Sequence, residues 1–285
     1  MRLAIAYDRL RFEEKELFSA AQKAGLHPLM LYLDELTIDV TQGRHELKEI
    51  ASLVLQRCVS HVRGLHISAA FESVGVRTVN TYTVSALCGD KMLTSLALAK
   101  ANIPTPRTLV TFSPEQTLRA LDSLGYPAVI KPVVGSWGRL VARVRDREEA
   151  MSHIEAREAV GDSINQVYYI QEFVKRPQRD LRVIVAGDDI VTSIYRYQPD
   201  GDWRTNVARG GKAELAKLSE EQTELIIKAA QAVGGGVLGV DAMEGPSGLV
   251  IHEINGTVEF KGAASVSPVN IPDRIVRYAA SLVKR

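Results

Sequence analysis

The sequence predicts a mixed α/β protein with a parallel sheet in an N-terminal domain and two α+β units after it. Short apolar runs alternate with helical patterns through residues 1–80, which is typical of parallel strands joined by helices. Hairpin patterns replace this alternation in the last third of the chain. The length of 285 residues suits more than one domain, and the 46% hydrophobic and 24% charged residues are typical of a globular protein.

The first domain is expected to span residues 1–83. Gly25 is expected to end its first helix. Ligands of parallel sheets bind beyond the carboxyl ends of the strands, so Arg57, Ser60 and Arg63, which lie at such an end, are candidate binding residues. The predicted elements are strand 3–7, helix 13–24, strand 28–33, strand 51–58, helix 64–73 and strand 76–80.

The central unit is expected to span residues 84–165 and the C-terminal unit residues 166–285. One long helix is predicted over 83–101, because the two prolines within 103–106 end it. The other predicted elements are strand 107–111, helix 114–124, strands 128–133 and 140–144, helix 147–159, strands 168–174, 181–186 and 190–197, helix 220–233, strands 237–243 and 249–254, and helix 272–283.

Charge and cysteine content exclude several classes of protein. The chain has 35 Lys and Arg against 34 Asp and Glu, a net charge of +1, so there is no overall electrostatic reason to bind nucleic acid or a membrane. Cys58 and Cys88 have no zinc, redox or disulfide spacing. The N-terminus does not read as a signal peptide, and no apolar run approaches the roughly 18 residues of a membrane span. We therefore expect a soluble, cytoplasmic protein.

One glycine pattern is misleading. Gly234, Gly236 and Gly239 match G-x-G-x-x-G, but a dinucleotide-binding motif needs a strand before it and a helix after it. Here a predicted helix precedes the glycines and a predicted strand follows them. The pattern therefore predicts the end of a helix and a tight turn.

A lysine and a glycine-containing loop form a candidate phosphate site. Lys131 ends an apolar strand in Ala-Val-Ile-Lys-Pro. In the loop that follows, backbone N–H groups and Arg139 could bind phosphate, although an ordinary hairpin fits the same residues. Lys91, next to Asp90, has by itself the pattern of a surface lysine. The loop residues are Gly135, Ser136, Trp137, Gly138, Arg139 and Leu140.

Three side chains on a predicted hairpin form a candidate metal site. Glu253 and Asn255 are two residues apart on one strand and so share a face, and Asp241 lies on the preceding strand. Two carboxylates and an amide suit Mg²⁺ that keeps some water and phosphate ligands. The polar outer face of an antiparallel sheet remains an equal alternative.

Two further segments have weaker patterns. A strand that ends near residue 174 could present backbone groups to a base, and Asp180 a carboxylate to a ribose, although most such strands bind nothing. A polar loop over residues 196–209 has the composition of an anion-binding loop or of a solvated one. The segments contain Gln171, Glu172, Phe173 and Val174, and Arg196, Arg204, Thr205, Asn206 and Arg209.

Taken together, these segments resemble the ATP-grasp superfamily, specifically its RimK-type branch, and most closely the LysX/ArgX ligases. The resemblance spans nearly the whole chain. It includes less common strings: Arg-Cys-Val-Ser at 57–60, Gly-Ser-Trp-Gly-Arg-Leu at 135–140, Ile-Tyr-Arg at 194–196 and Glu-Phe-Lys at 259–261. The implied fold is ATP-grasp, in which the two α+β units enclose ATP.

The resemblance also implies roles for individual residues. Lys91 and Lys131 would bind the ATP phosphates, beneath the 135–140 loop. Residues 171–174 would hold adenine and Asp180 the ribose. Asp241, Glu253 and Asn255 would bind two Mg²⁺ ions, and Arg196 and Asn206 would lie near the γ-phosphate and the reacting carboxylate.

Two further pairs of residues are expected to contact the substrates. Gly262 and Ala263 would line the amino-acid pocket, and Arg57 and Arg63 would dock a carrier protein.

LysX/ArgX ligases attach α-aminoadipate or glutamate to the C-terminal glutamate of the small acidic carrier protein LysW, in lysine or arginine biosynthesis. The resemblance implies this reaction, through an acyl phosphate, and a homo-oligomer, either a dimer or a tetramer. Two alternatives stay open: a RimK-like glutamate ligase with another acceptor, and an inactive nucleotide-binding scaffold. No protein nucleophile is expected, and His252 is expected to point away from Glu253.

Overall fold

Three β-sheets form the frame of the molecule in a computed structural model. The structure describes residues 1–41, 44–135, 138–161, 163–199, 201, 203, 205 and 212–283. Each sheet carries helices on its faces, and the order of elements along the chain is that of a mixed α/β protein, as predicted. Within these residues, no helix is both long and apolar enough to cross a membrane.

The N-terminal sheet has four parallel strands in the order β2-β1-β3-β4, which confirms the predicted parallel arrangement. Its middle strands are apolar and fully buried, because helices cover both faces of the sheet. The elements are β1 (Arg2–Tyr7), α1 (Phe12–Lys23), β2 (His27–Tyr32), α2 (Arg44–Ile50), β3 (Leu53–Gln56), α3 (His61–Ser73) and β4 (Arg77–Val79).

The single helix predicted over 83–101 is wrong, because two helices occupy this segment. These are α4 (Tyr82–Gly89) and α5 (Lys91–Lys100), and Asp90 separates them with an extended backbone. The Asp90 side chain accepts hydrogen bonds from the backbone N–H groups of Met92 and Leu93, which caps α5. The break places Lys91 at the first position of α5.

The central sheet is antiparallel, in the order β5-β8-β6-β7. Its β8 strand lies after the domain boundary expected at 165/166, yet by its pairing the strand belongs to this sheet. The elements are β5 (Thr108–Thr111), α6 (Pro114–Leu124), β6 (Ala128–Pro132), β7 (Ala142–Val144), α7 (Arg147–Val160) and β8 (Tyr168–Glu172).

The C-terminal sheet is also antiparallel and has the order β11-β10-β9-β12-β13. The two predicted hairpins are β9–β10 and β12–β13. The elements are β9 (Arg179–Ala186), β10 (Asp189–Tyr197), β11 (Ala213–Leu215), α8 (Glu220–Ala232), β12 (Val237–Gly245), β13 (Gly248–Asn255), α9 (Lys261–Ala264) and α10 (Ile271–Ser281).

The N-terminal and C-terminal sheets share one hydrophobic core. Leu3 and Ile5 of β1 belong to the same buried cluster as Ile184 of β9, Phe260, and Ile275 of α10. The central sheet has a separate core between its strands and helices α6 and α7. The molecule therefore consists of one large body, made of two sheets, and a smaller body built on the central sheet.

The glycine pattern at 234–239 forms the turn between α8 and β12, as predicted. Gly234, Gly235 and Gly236 all have positive φ angles. The Asn80 side chain fills the space beside Gly236 and exchanges hydrogen bonds with the backbone N–H and carbonyl groups of Val237, at 2.7 and 2.8 Å. The glycine is thus needed for close packing between the two sheets, not for binding a dinucleotide.

Replacing Gly236 by alanine should lower the free energy of unfolding by about 3 kcal/mol, the cost of strain added to a steric clash. A Cβ at this position would lie 2.2 Å from Oδ1 of Asn80. Gly235→Ala is the matched control, since its added Cβ has no atom within 4 Å, and it should cost only about 1 kcal/mol. Urea unfolding of both variants measures the difference, and equal values would contradict the packing argument.

Candidate active site

A cavity of about 1050 Å³ lies between the central sheet, the C-terminal sheet and the N-terminal domain. Most of the predicted site residues line it, although they come from all three parts of the chain. They are Lys91, Lys131, Gly135, Gly138, Arg139, Gln171, Glu172, Phe173, Val174, Asp180, Arg196, Thr205, Asp241, Glu253, Asn255, Gly262 and Ala263.

Five other predicted site residues lie outside the described part of the chain. They are Ser136, Trp137, Arg204, Asn206 and Arg209. Leu140 is described, but it is partly exposed and is not among the residues that line the cavity.

The two predicted phosphate-binding lysines lie in the same cavity. Lys131 is buried at the end of β6, where its Nζ donates a hydrogen bond to Oε1 of Gln171 at 2.7 Å. Burial lowers the pKa of Lys131 to about 8, and the nearby charge of Lys91 acts in the same direction. Two cations in the same cavity favour a polyanionic ligand.

Lys91 reaches this site because of the helix break at Asp90. Its backbone N–H donates to the carbonyl of Val133 at 2.9 Å, and its Nζ donates to the carbonyl of Gly135 at 2.7 Å. Nζ also lies 3.9 Å from Oε1 of Glu253. Lys91 is therefore not an ordinary surface lysine, because it connects the loop at Gly135 to the acidic hairpin.

The candidate metal ligands converge as the hairpin pattern predicts. Asp241 on β12 lies directly opposite Glu253 on β13, and Gly239 lies opposite Asn255. The Asn255 amide donates to Oδ2 of Asp241 at 3.2 Å. One face of the hairpin thus carries two carboxylates and an amide.

Two guanidinium groups hold Asp241 in its charged form. Arg182 binds both carboxylate oxygens, and Arg196 lies 3.1 Å from Oδ1. Burial, at 2% exposure, acts to raise the pKa of Asp241, but the charges of Arg182 and Arg196 outweigh it and lower the pKa to about 2.

This donor set fits Mg²⁺. Asp241 is ionised at neutral pH, and its oxygens, those of Glu253 and the Asn255 amide oxygen are hard ligands. Among the described residues, no group of three or more His, Cys, Asp or Glu side chains could hold a metal ion. Binding would therefore depend on the amide, on water and on phosphate oxygens to complete the coordination shell.

The expectation that His252 points away from Glu253 is wrong. Asp241 pairs with Glu253 and Ala242 with Ile251, so His252 is the extra residue of a β-bulge. The bulge breaks the alternation of faces, and His252 lines the cavity beside its neighbour. Burial, together with the charge of Lys131, lowers the pKa of His252 well below its usual value, which keeps the ring neutral.

The carboxylate of Asp180 is paired with Arg196. Its two oxygens accept hydrogen bonds from Nε and Nη2 of Arg196, at 2.8 and 3.0 Å, and Thr205 also donates to it. This pairing aims the Arg196 guanidinium at Asp241. Burial alone would lower the pKa of Arg196, but Asp241 and Asp180 raise it, so the guanidinium stays charged. The contacts favour an orienting role for Asp180; its binding to a ribose stays a prediction.

The end of β8 and the two residues after it line the cavity, and their binding to a base stays a prediction. Glu172 pairs with the backbone of Arg107, its carboxylate accepting from the N–H at 2.8 Å, so this side chain braces two strands. Beside it, Phe173 and Trp203 pack edge to face with ring centroids 6.1 Å apart, and Arg143 lies over both rings. Both rings line the cavity, and Arg143 packs against them.

Four residues in or beside the cavity were not predicted from the sequence: Arg143, Arg176, Arg182 and Trp203. A signal existed for Arg182 alone, because it is two residues from Asp180 in an apolar strand and so shares its face. Arg143 contacts groups about 30 and 60 positions away, which no local pattern encodes.

The structure does not support Arg57 as a docking residue. Arg57 is only 5% exposed, and its Nε donates to Oε1 of the buried Glu14 at 3.2 Å. Arg63 is half exposed and paired with Asp34, while Ser60 caps α3. Gly262 and Ala263 also line the cavity, as predicted.

Comparison with known protein families agrees with this geometry. A model of the RimK-like ATP-grasp domain matches residues 88–279, and a model of the LysX preATP-grasp domain matches residues 3–87. The chain belongs to the RimK-like ATP-grasp family. The chain is thus an ATP-dependent ligase of a family whose members use ATP and Mg²⁺.

Several relatives are similar to this ATP-grasp chain over its full length. It is 37% identical to the alpha-aminoadipate–LysW ligase LysX of Sulfurisphaera tokodaii, over 100% of both chains. It is 34% identical to the glutamate–LysW ligase ArgX of Sulfolobus acidocaldarius, over 98% of both. A RimK domain ATP-grasp protein from Sphaerobacter thermophilus superposes with a TM-score of 0.79, at 23% identity over 98% of this chain and 99% of that one, and so shares the fold.

Replacing Lys131 by methionine should raise the Kd for ATP by about two orders of magnitude, because a buried cation that faces the phosphates is lost. Calorimetric titration of ATP in the presence of Mg²⁺ measures the change. Lys100→Met, at the exposed end of α5, is the control and should leave the Kd unchanged. An unaltered Kd in Lys131→Met would remove this lysine from the phosphate site.

The affinity for ATP should also decline as pH rises through about 8. The pKa of Lys131 lies near 8 in the free protein, and a phosphate ligand prefers the protonated amine, so binding takes up a proton above that pH. The decline should approach at most tenfold per pH unit. The same titration repeated from pH 7 to 9.5 tests this, and the pH dependence should flatten in Lys131→Met.

Proposed function

We propose that this ligase attaches the amino group of α-aminoadipate, or of glutamate, to the C-terminal glutamate of a small acidic carrier protein of the LysW type. The observation that carries the proposal is the convergence of Lys91 and Lys131 with Asp241, Glu253 and Asn255 in one cavity. Full-length similarity to LysX and ArgX ligases supports the choice of carrier and amino acid.

Amide formation from a free carboxylate needs a better leaving group than oxide. Phosphorylation of the carrier's terminal carboxylate by ATP would supply one, as an acyl phosphate. Lys91 and Lys131 would hold the transferring phosphates, and Arg196, aimed by Asp180 into the cavity, would balance the charge on the phosphoryl group. Mg²⁺ at Asp241, Glu253 and Asn255, in our proposal two ions, would add Lewis-acid stabilisation of the phosphate oxygens.

The amine would then attack the activated carbonyl and pass through a tetrahedral oxyanion. Arg196 would stabilise that charge, since it lines the cavity and stays protonated. No protein nucleophile is required. Cys58 and Cys88 both line the cavity, but burial raises the pKa of each thiol to about 12, so neither is a thiolate at neutral pH.

The choice between the two amino acids depends on one methylene group. A hydrophobic contact of that size discriminates by about 1–3 kcal/mol, which allows both substrates to react. The segment at Gly262 and Ala263 lines the cavity where the amino acid would lie, with Lys261 as a nearby cation. We include a homo-oligomer, a dimer or tetramer, in the proposal.

A second candidate is a glutamate ligase with another acceptor. The tetrahydromethanopterin:alpha-L-glutamate ligase of Methanosarcina acetivorans is 30% identical over 94% of this chain and 95% of its own length. The third reading, an inactive scaffold, would require a lost lysine or metal ligand. The two lysines, Lys91 and Lys131, and the three candidate metal ligands, Asp241, Glu253 and Asn255, are all present and line the cavity.

Incubation of the protein with ATP, Mg²⁺ and a LysW-type carrier should add the mass of one amino-acid residue to the carrier. Intact-mass spectrometry with α-aminoadipate and glutamate in separate reactions identifies the substrate, and a shift in both indicates dual specificity. If the carrier is unchanged while another acceptor gains glutamate, the second candidate is correct. If no acceptor shifts and no nucleotide binds, the protein is a scaffold.

Glu253→Gln should abolish amide formation and leave the fold intact, since an amide is a weaker Mg²⁺ ligand than a carboxylate. Turnover, thermal unfolding and ATP binding should be compared with those of the wild-type protein. Wild-type turnover at ordinary Mg²⁺ concentration would remove Glu253 from the metal site. Glu244→Gln serves as a control, because Glu244 pairs with Arg179 away from Asp241.

A further inference from the structure

A buried glutamate of the N-terminal domain binds the backbone of the C-terminal segment that closes the cavity. Glu13, on α1, is 4% exposed, and its Oε1 accepts hydrogen bonds from the backbone N–H groups of Phe260 and Lys261, both at 3.0 Å. About 247 positions of sequence separate the partners. One carboxylate thus fixes two successive peptide groups of a segment that belongs to a different part of the fold.

The segment that Glu13 holds forms one wall of the cavity. Thr257, Glu259, Lys261 and Gly262 line the space, and the segment follows directly after the metal ligand Asn255. Phe260 is fully buried and packs edge to face against Phe12, with ring centroids 6.1 Å apart. The segment is therefore anchored by an aromatic side chain and by a carboxylate, both on the same helix of the N-terminal domain.

Ion pairs of its neighbours surround Glu13 without including it. Arg11 donates to Glu14 and lies 3.0 Å from Glu259 of the held segment. Arg57 pairs with Glu14 from the other side. The alternating charges hold the start of α1 against the segment, so the Glu13 carboxylate stays buried with cations nearby instead of turning out to water.

We propose that Glu13 is a positioning residue that sets the amino-acid end of the site. It fixes the segment at 259–263 relative to the acidic hairpin, and so determines how far Lys261, Gly262 and Ala263 lie from the reacting centre. The inference rests on the proposed function, since it assigns this wall to the amino acid. In that proposal Lys91 and Lys131 bind ATP, and the hydrogen bonds of these lysines go to Gly135 and Gln171, not to the segment that Glu13 holds. The binding of ATP should therefore depend little on Glu13.

Two conservative variants separate position from charge. Glu13→Asp keeps the charge but is one carbon–carbon bond shorter, so the carboxylate retreats by about 1.5 Å and loses both hydrogen bonds. Glu13→Gln keeps the length, and its amide oxygen has two lone pairs that can accept both N–H groups without the charge. Glu16→Asp makes the same shortening on the same helix but outside the cavity wall, and is the control.

Steady-state kinetics measured with varied amino acid, at saturating ATP and carrier, should distinguish the variants by their KM for the amino acid. Glu13→Asp is expected to raise the KM for the amino acid about tenfold or more, with the KM for ATP within about twofold of the wild type. Glu13→Gln should recover most of the loss, and Glu16→Asp should match the wild type. An unchanged amino-acid KM in Glu13→Asp, or an equal rise in the KM for ATP, would overturn the proposal.

Hydrogen–deuterium exchange tests the same idea without turnover. In Glu13→Asp, the peptide that contains residues 256–265 should exchange faster than in the wild type, while a peptide from β12 should be unchanged. If both peptides exchange at the same rate in Glu13→Asp as in the wild type, the positioning role is overturned, even if the protein proves to use another substrate. If exchange responds as expected but the wild type modifies no carrier, the positioning role stands and only the proposed acceptor is wrong.

Discussion

The buried carboxylate of Asp241 is the interaction on which the site depends. A charge in this position is tolerated only because Arg182 and Arg196 lie against it, and Arg196 is in turn aimed by Asp180. These four side chains come from three neighbouring strands of the C-terminal sheet. The order of the strands, β10-β9-β12, brings them together, so the topology of the sheet determines the electrostatics of the cavity.

A network of this kind does two things at once. It keeps the carboxyl group of Asp241 ionised, and it keeps the guanidinium group of Arg196 charged, although both are buried. The Asp241 carboxylate alone, or the Arg196 guanidinium alone, would be an uncompensated charge inside the protein, at a cost of several kcal/mol. In the proposed function, the carboxylate of Asp241 would therefore not have to lose a proton at neutral pH before it binds Mg²⁺.

Local sequence patterns predicted the groups that lie within one element or one hairpin. Glu253 and Asn255 share a face because side chains alternate along a strand, and Lys131 leaves the sheet at the end of an apolar run. His252 was misplaced because a β-bulge is a property of the pairing between two strands. The helix break at Asp90 was missed because a capping residue inside a helical pattern resembles an ordinary surface residue. The contacts of Glu13 and Arg57 join distant parts of the chain, and only the assembled fold reveals them.

The separate cores of the two bodies have a mechanical consequence. The large body gains its cohesion from a hydrophobic interior common to two sheets, whereas the central sheet has an interior of its own. The cavity lies along the seam between them. A change in the angle between the two bodies would therefore widen or narrow the cavity without exposing either apolar interior to water.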